Sequence, residues 1–453
     1  MIKCFQLFIL MWIAGCVPMT DREARIFSQI VNSDAQMLCN RRLALEEKYQ
    51  KMSRNPYRFL RGTFGLFLQD QLDRPQNLPI LGEALGIGDT HPENYTMAPR
   101  SDGRYTMEFG DLDAFQFHPA EWELLRLAQG GLVAIYQNVS WDQGSAEAIV
   151  EAMAEGYVIG LEPSRVPDPS PSGGNLFRAW REKAESKANR RIALRTYVNL
   201  TNGMLRRGTV DGSKRLLPLP PETLDSLRNA LKLYEVNARS KPPVGATSLR
   251  DAGLLLGRGV SSLPLVRLMV LVEGDSPNQG DEWLLEFKEL RDPFPLSETD
   301  RLLPYTNAEE RLQTAFSTLW PHEAIAPNWG STVFMGVPMQ VRQIEGGLMD
   351  ADADWFAEDS DEAKGLLARL AHRLGLSHRS QGLEASPGLR KLLKPQLVAA
   401  ATRSAKQSFE DYKHYTNLLQ KGLFPSQVDH CEDHRPGLLE AMLSNRYRRG
   451  QSP

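Results

Sequence analysis

The stretch Ile87-Gly88-Asp89-Thr90-His91-Pro92-Glu93-Asn94 packs an acid, an imidazole and an amide into a few consecutive positions. Seventeen residues beyond Asn94, after a hairpin-turn signal at Ser101-Asp102-Gly103, comes Phe109-Gly110-Asp111-Leu112-Asp113. Phosphoryl transfer needs one carboxylate to receive the nucleophile's proton, and an amide and a second carboxylate to hold magnesium on nucleotide phosphates. Asp89, Asn94 and Asp111 supply that set: Asp89 as base, Asn94 and Asp111 as Mg²⁺ ligands. Asp113 is either a further metal ligand or the partner of an arginine. The plainer alternative makes Asp89 and Asn94 turn-forming residues, which their side chains favour. Their spacing together with Asp111 favours chemistry.

Outward from this centre, residues 57–161 read as a compact mixture: an apolar helix at Phe59 to Leu72, strands near Leu85 to Ile87 and Tyr105 to Phe109, and a helix from Ala120. Residues 163–174 form a Pro/Ser/Gly-rich boundary, followed by a basic helix from Leu176 to Arg195 whose charges fit a solvated face. Further on, Gly257-Arg258-Gly259-Val260-Ser261-Ser262 leads into the apolar run Leu265 to Val272. A turn at Gly274 to Gly280 and a second run, Trp283 to Leu290, complete an antiparallel pair. Ala308 to Leu319 reads as a helix, Thr332 to Ile344 as strands, and Gly365 to Gly375 and Gln396 to Leu419 as helices. The acidic stretch Asp350 to Glu362 opens like a calcium loop but has Trp355 where the sharp turn needs glycine, so a solvated acidic loop is expected.

GDxHxxN followed at this distance by an apolar-flanked aspartate resembles the core of aminoglycoside phosphotransferases and other protein-kinase-like folds. Trp122-Glu123 stands where such enzymes place a Trp-Asp pair. A closer resemblance is to the bacterial family called domain of unknown function 2252, carried by NPYRFLRG at 55–62, GDTHPENY at 88–95, GDLDAF at 110–115 and EWELLRLA at 121–128. GRGVSS, EFKEL, Val341-Arg342-Gln343 and the segment ending at His372 add to it, so that it covers about residues 45 to 420.

That resemblance implies an α+β, protein-kinase-like two-lobed fold with extra helices, circularly permuted because Gly257, Gly259 and Lys288 follow the catalytic loop instead of preceding it. Gly257, Gly259 and Lys288 are then candidate nucleotide-phosphate contacts, with Glu309 or Glu310 able to pair with the lysine; the alternative is an exposed strand lysine. Arg61 is expected to hold a carboxylate, Asp113 or Glu123, while His91 braces the loop and His372 is structural. The expected divisions are a signal at 1–15, a helical arm at 16–52, the catalytic-loop part at 53–162, a linker and helical insert at 163–245, a small β-rich nucleotide-lobe-like part at 246–345, and an acidic loop with C-terminal helices at 346–453.

The N-terminus is the compositional anomaly. Phe5 to Ala14 is almost wholly apolar behind Lys3, and as a helix it spans only about 15 Å, half a bilayer's hydrocarbon thickness. Ile13-Ala14-Gly15-Cys16 resembles a bacterial lipobox, implying cleavage before Cys16, lipidation there and attachment to a membrane of the cell envelope, with Val17 leaning toward the outer membrane. A buried N-terminal element with a chance cysteine is the alternative. Of the four cysteines, Cys39 and Cys431 are left as a disulfide or as buried thiols. Across 453 residues, Lys+Arg of 53 against Asp+Glu of 56 gives a net charge of -3, which removes the global basic field of a nonspecific nucleic-acid binder. No GxxxxGK[ST] is present, nor the upstream DxH and downstream GNH[DE] of a metallophosphoesterase.

The leading expectation is a membrane-anchored lipoprotein whose kinase-like core performs Mg-ATP-dependent phosphotransfer to an acceptor the sequence does not name. Extracytoplasmic ATP is scarce, so the alternative is a catalytically inactive kinase-like binding module of the envelope.

Overall fold

The computed structural model describes residues 18–38, 41–100, 102–112, 114–163, 174–187, 190–199, 201–211, 214–238, 245, 247–274, 281–291, 307–320, 329–344, 348–357 and 360–424. The signal and lipobox with Cys16, Cys39, Cys431, Asp113 and most of the Pro/Ser/Gly-rich boundary lie outside them. The helices are α1 (Asp21–Asp34), α2 (Arg42–Met52), α3 (Pro56–Gly62), α4 (Phe64–Asp73), α5 (Ala120–Tyr136), α6 (Gln143–Leu161), α7 (Asn175–Ser186), α8 (Arg190–Tyr197), α9 (Leu224–Asn237), α10 (Ala308–Leu319), α11 (Ser360–Ser380) and α12 (Leu389–Gln420). The strands are β1 (Glu83–Gly86), β2 (Tyr95–Pro99), β3 (Tyr105–Phe109), β4 (Gln116–Pro119), β5 (Val198–Asn199), β6 (Met204–Leu205), β7 (Gly208–Asp211), β8 (Lys214–Pro218), β9 (Leu249–Leu256), β10 (Arg267–Val272), β11 (Trp283–Glu289), β12 (Gly330–Phe334), β13 (Val337–Gln343) and β14 (Met349–Asp350). The fold is mixed α+β with antiparallel sheets, in two compact units: Met1–Pro75 with Lys406–Pro453, and Gln76–Ala405.

In the smaller unit Thr20 and Glu23 form a reciprocal capping box that starts α1. Its Ile26 and Ile30 are buried, as is Leu45 of α2, so the helical stretch contributes apolar side chains to a core. Arg22 bridges Asp70 and Asp411, and Lys48 lies 2.6 Å from Asp34 in a buried pair. The single helix expected across 59–72 is two helices. Thr63 Oγ1 donates to the Phe59 carbonyl at 2.8 Å, closing α3 before α4 begins at Phe64.

The larger unit is built on a seven-stranded antiparallel sheet in the order β12-β13-β11-β10-β9-β8-β7. Every residue of β10 is buried, as in a central strand covered on both faces. One face is apolar over Leu216, Leu255, Met269, Leu271 and Leu284, packed by Leu194, Tyr197, Val198 and Leu205. The expected antiparallel pair is β10–β11, with Arg267 opposite Lys288. A second sheet, β14-β2-β3, carries the hairpin between Asn94 and Asp111. Helices α6 and α11 approach closely: a methyl group on Gly156 would sit 2.2 Å from the Ala368 carbonyl oxygen, and one on Gly160 would sit 2.4 Å from that of His372.

Two further expectations change. The basic stretch is not one helix but α7 and α8, and α7 is anchored by Trp180, whose Nε1 donates to the Met349 carbonyl at 3.0 Å. The acidic stretch is not one solvated loop. Asp350 pairs in β14 beside Thr96, a short 3-10 turn follows, and Asp361 and Glu362 sit in the first turn of α11, where the helix dipole favours acids.

Candidate active site

Strand β1 delivers the chain to Gly88, which has φ +80; a methyl group there would meet the Ala114 carbonyl oxygen at 2.4 Å, so only glycine fits this turn. The loop then folds on itself, the His91 amide donating to the Asp89 carbonyl at 2.8 Å and the Asn94 amide to the His91 carbonyl at 2.9 Å. Asp89 and Asn94 are both buried. Arg126 Nε, on α5, donates to Asp89 Oδ1 at 2.8 Å, and His91 Nε2 stands 3.8 Å from Asp89 Oδ2. Asn94 Nδ2 donates to the Asp89 main-chain carbonyl at 2.6 Å, which turns its Oδ1 away from that bond and leaves it as the amide's acceptor.

The hairpin of β2 and β3 brings the chain back to this loop, where the Gly110 amide donates to the Asn94 carbonyl at 2.7 Å. Asp111 is therefore held one residue from a direct bond to the loop. Lys288 Nζ, on β11, donates to Asp111 Oδ1 at 3.0 Å and Oδ2 at 3.2 Å. The lysine is 6% exposed, so the exposed-strand alternative does not hold. The carboxylate that meets it is Asp111, where the sequence suggested Glu309 or Glu310. Of those two, Glu309 Oε1 is buried with no hydrogen-bond partner, and the Glu310 amide caps onto Asn307.

Gly257 and Gly259 both have positive φ, at +79 and +83, in the loop that joins β9 to β10. A methyl group on Gly259 would meet Ser262 Oγ at 2.5 Å and Arg267 Nη2 at 3.8 Å, so the turn lies against the head of β10. Arg258 of this loop reaches Glu286 at 2.8 Å, joined there by Arg267 at 2.9 Å and Arg342 at 2.6 Å. Glu286 and Lys288 are two apart on β11, so they share one sheet face. Burial pushes the Glu286 carboxyl up, but Arg258, Arg342 and Arg267 outweigh it and hold the group well below the usual carboxylate range. Burial lowers Arg342, which Glu286, Asp350 and Asp111 more than reverse, so its guanidinium lies above its ordinary value.

Glu123 ties the loop to the helices. Its Oε1 accepts from the Gly88 amide at 2.9 Å, and its Oε2 lies 2.8 Å from His378 Nε2, whose Nδ1 is 2.7 Å from Tyr157 Oη. Burial raises the Glu123 carboxyl, while His118 and His378 and the Gly88 amide bring it below its ordinary value. Arg61 belongs to α3 in the smaller unit, and His378 is the hydrogen-bonded partner of Glu123 in the larger one. His372 stands on α11, where its carbonyl faces Gly160.

Sequence reasoning missed Arg126, Glu286, Arg267, His378 and Asp350. The available signal was a charge standing alone inside an apolar strand, as Arg267 and Glu286 do. His378 had none, since its partner is 255 positions away.

Among the described residues no three His, Cys, Asp or Glu side chains converge on a metal position. Asn94 and Asp111 are one amide and one carboxylate. That set suits Mg²⁺, which binds through one or two carboxylates plus phosphate oxygens and keeps several waters. Also among the described residues, no helix is long and apolar enough to cross a membrane.

The family model described as "Uncharacterized protein conserved in bacteria (DUF2252)" matches residues 42–418, well over half the chain. Neither the curated proteins nor the solved structures gave a match.

Proposed function

We propose that this chain, which belongs to the bacterial family domain of unknown function 2252, is a Mg-nucleotide-dependent phosphotransferase with a permuted, kinase-like larger unit. The observation that carries the reading is the Lys288–Asp111 pair, 3.0 Å long and joining the glycine-turn sheet to the catalytic-loop hairpin. Kinase-like sites need such a juxtaposition of a strand lysine and a metal-binding aspartate, and here it arises in reversed chain order. Asp89 receives the acceptor hydroxyl's proton, with Arg126 on Oδ1 orienting its carboxylate. Asn94 and Asp111 would hold Mg²⁺, which when bound neutralises charge on the transferring phosphoryl group. Lys288 exchanges its bond to Asp111 for phosphate oxygens when a nucleotide arrives.

A second reading, a nucleotide-binding module without turnover, is favoured by the Asp89–Arg126 pair, because an aspartate held by a guanidinium is a weak base. Both readings keep the chain as an envelope lipoprotein anchored through Cys16, and the two are separated by phosphate release. Full-length protein incubated with terminally labelled ATP and Mg²⁺ should release labelled phosphate to water or an added alcohol. Asp89→Asn should stop release while leaving nucleotide binding within about twofold. Binding with no release from the unmodified chain selects the module.

A further inference from the structure

Glu286 is fully buried, yet three guanidiniums converge on it: Arg258 from the glycine turn, Arg267 from β10 and Arg342 from β13. Glu286 balances one of them and Asp350 acts on Arg342, which leaves one guanidinium in surplus. The three stand at the polar end of a sheet face whose other end is the apolar cluster of Met269, Leu271 and Leu284. A surplus of buried cations costs stability unless something anionic meets it. Among the described residues, Asp350 and Asp111 act on Arg342 as well, and Asp111 already accepts from Lys288.

Arg267 is 5% exposed and its Nε has no hydrogen-bond partner, while its Nη2 donates to Ser262 Oγ at 2.9 Å. Burial lowers the Arg258 guanidinium from its ordinary value; Glu286 opposes that shift, and Arg342 and Arg267 add to it. Arg258 and Arg342 keep side-chain exposures of 23% and 16%, so both guanidiniums stay within reach of solvent. Planar guanidiniums recognise phosphate oxygens two at a time, which a lysine does not.

We infer that Arg258, Arg267 and Arg342, gathered by Glu286, form a receptor for a di- or triphosphate chain. The receptor recognises the phosphates and not the base, so a nucleoside triphosphate and inorganic tripolyphosphate both fit it. The inference rests on the phosphotransfer reading for its place in the site, but it needs no metal and no turnover.

The test is calorimetric titration of the full-length protein with sodium tripolyphosphate and, separately, with ATP, each in EDTA. Saturable binding of tripolyphosphate is expected, weakened at least tenfold by Arg258→Gln, whose side chain lies in the loop and is the most exposed of the three. Arg342→Gln should do the same, and the melting temperature of each variant in buffer reports whether it folds; if Arg342→Gln does not, Arg258→Gln alone decides. Failure of Mg-dependent phosphate release together with intact tripolyphosphate binding leaves the receptor standing and removes the phosphotransfer reading. Absence of tripolyphosphate binding, binding unchanged in Arg258→Gln, or binding of ATP alone overturns the receptor.

Discussion

Lys288 and Asp111 stand 177 positions apart in the chain and share two hydrogen bonds, with the ammonium on a central strand and the carboxylate just past a hairpin. Asp111 has a side-chain exposure of 37%, so the pair is partly solvated and contributes at most about 1 kcal/mol to folding. Its value lies in position. Lys288→Met is therefore expected to change the urea unfolding free energy by under about 1 kcal/mol and to weaken Mg-ATP binding at least tenfold, as read by parallel denaturation and calorimetry. A large loss of stability with unchanged affinity would make Lys288 a structural residue.

Glu286 behaves in the opposite way. Removing the carboxylate that three guanidiniums share leaves like charges facing one another, so Glu286→Gln should lose about 3–5 kcal/mol in urea at pH 7. The same group predicts a pH dependence. Its folded pKa is depressed below the ordinary 4.5, so the unfolded chain binds the proton first, and the contribution is present above about pH 4.5 and fades as the pH falls below it. Unfolding midpoints from pH 7 down to 3.5 should show a steeper decline in the unmodified chain than in Glu286→Gln; equal slopes would remove Glu286 as the source.

Glu123 holds the loop that carries Asp89 and Asn94 through the Gly88 amide, and His378 with Tyr157 holds Glu123. Glu123→Gln weakens a charge-assisted bond by about 1.5–3 kcal/mol, and the Gly88 amide should exchange its hydrogen faster while amides in β10 keep their protection. Tyr157→Phe removes only the outer bond and should cost about 1 kcal/mol. Uniform acceleration across both regions would indicate global destabilisation instead.

Lipidation is tested separately from chemistry. Cells fed labelled fatty acid should yield labelled protein in the membrane fraction, and Cys16→Ser should be unlabelled. Equal labelling of the variant would contradict the lipobox.

Much of the site was legible because its residues cluster in short strings. Asp89, His91 and Asn94 share one loop, and Asp111 follows a hairpin whose turn is visible at Ser101-Asp102-Gly103. The strands β10 and β11 announce themselves by apolar runs. What was hidden is pairing at long range. Nothing in a sequence says that Arg342 meets Glu286 56 positions away, or that Arg126 takes Asp89, because those contacts are set by sheet register and helix packing. Breaks such as Thr63 were hidden for another reason: a hydroxyl bonding back to a carbonyl ends a helix without disturbing its apolar pattern.

The central claim is that Asn94 and Asp111 hold Mg²⁺ against a nucleotide steadied by Lys288. It is tested most directly by titrating full-length protein and Asp111→Asn with ATP in Mg²⁺ and again in EDTA. The account predicts that Mg²⁺ tightens ATP binding to the unmodified chain at least tenfold and has no such effect on Asp111→Asn. Identical affinities in Mg²⁺ and EDTA for the unmodified chain, or an undiminished Mg²⁺ effect in Asp111→Asn, would contradict it.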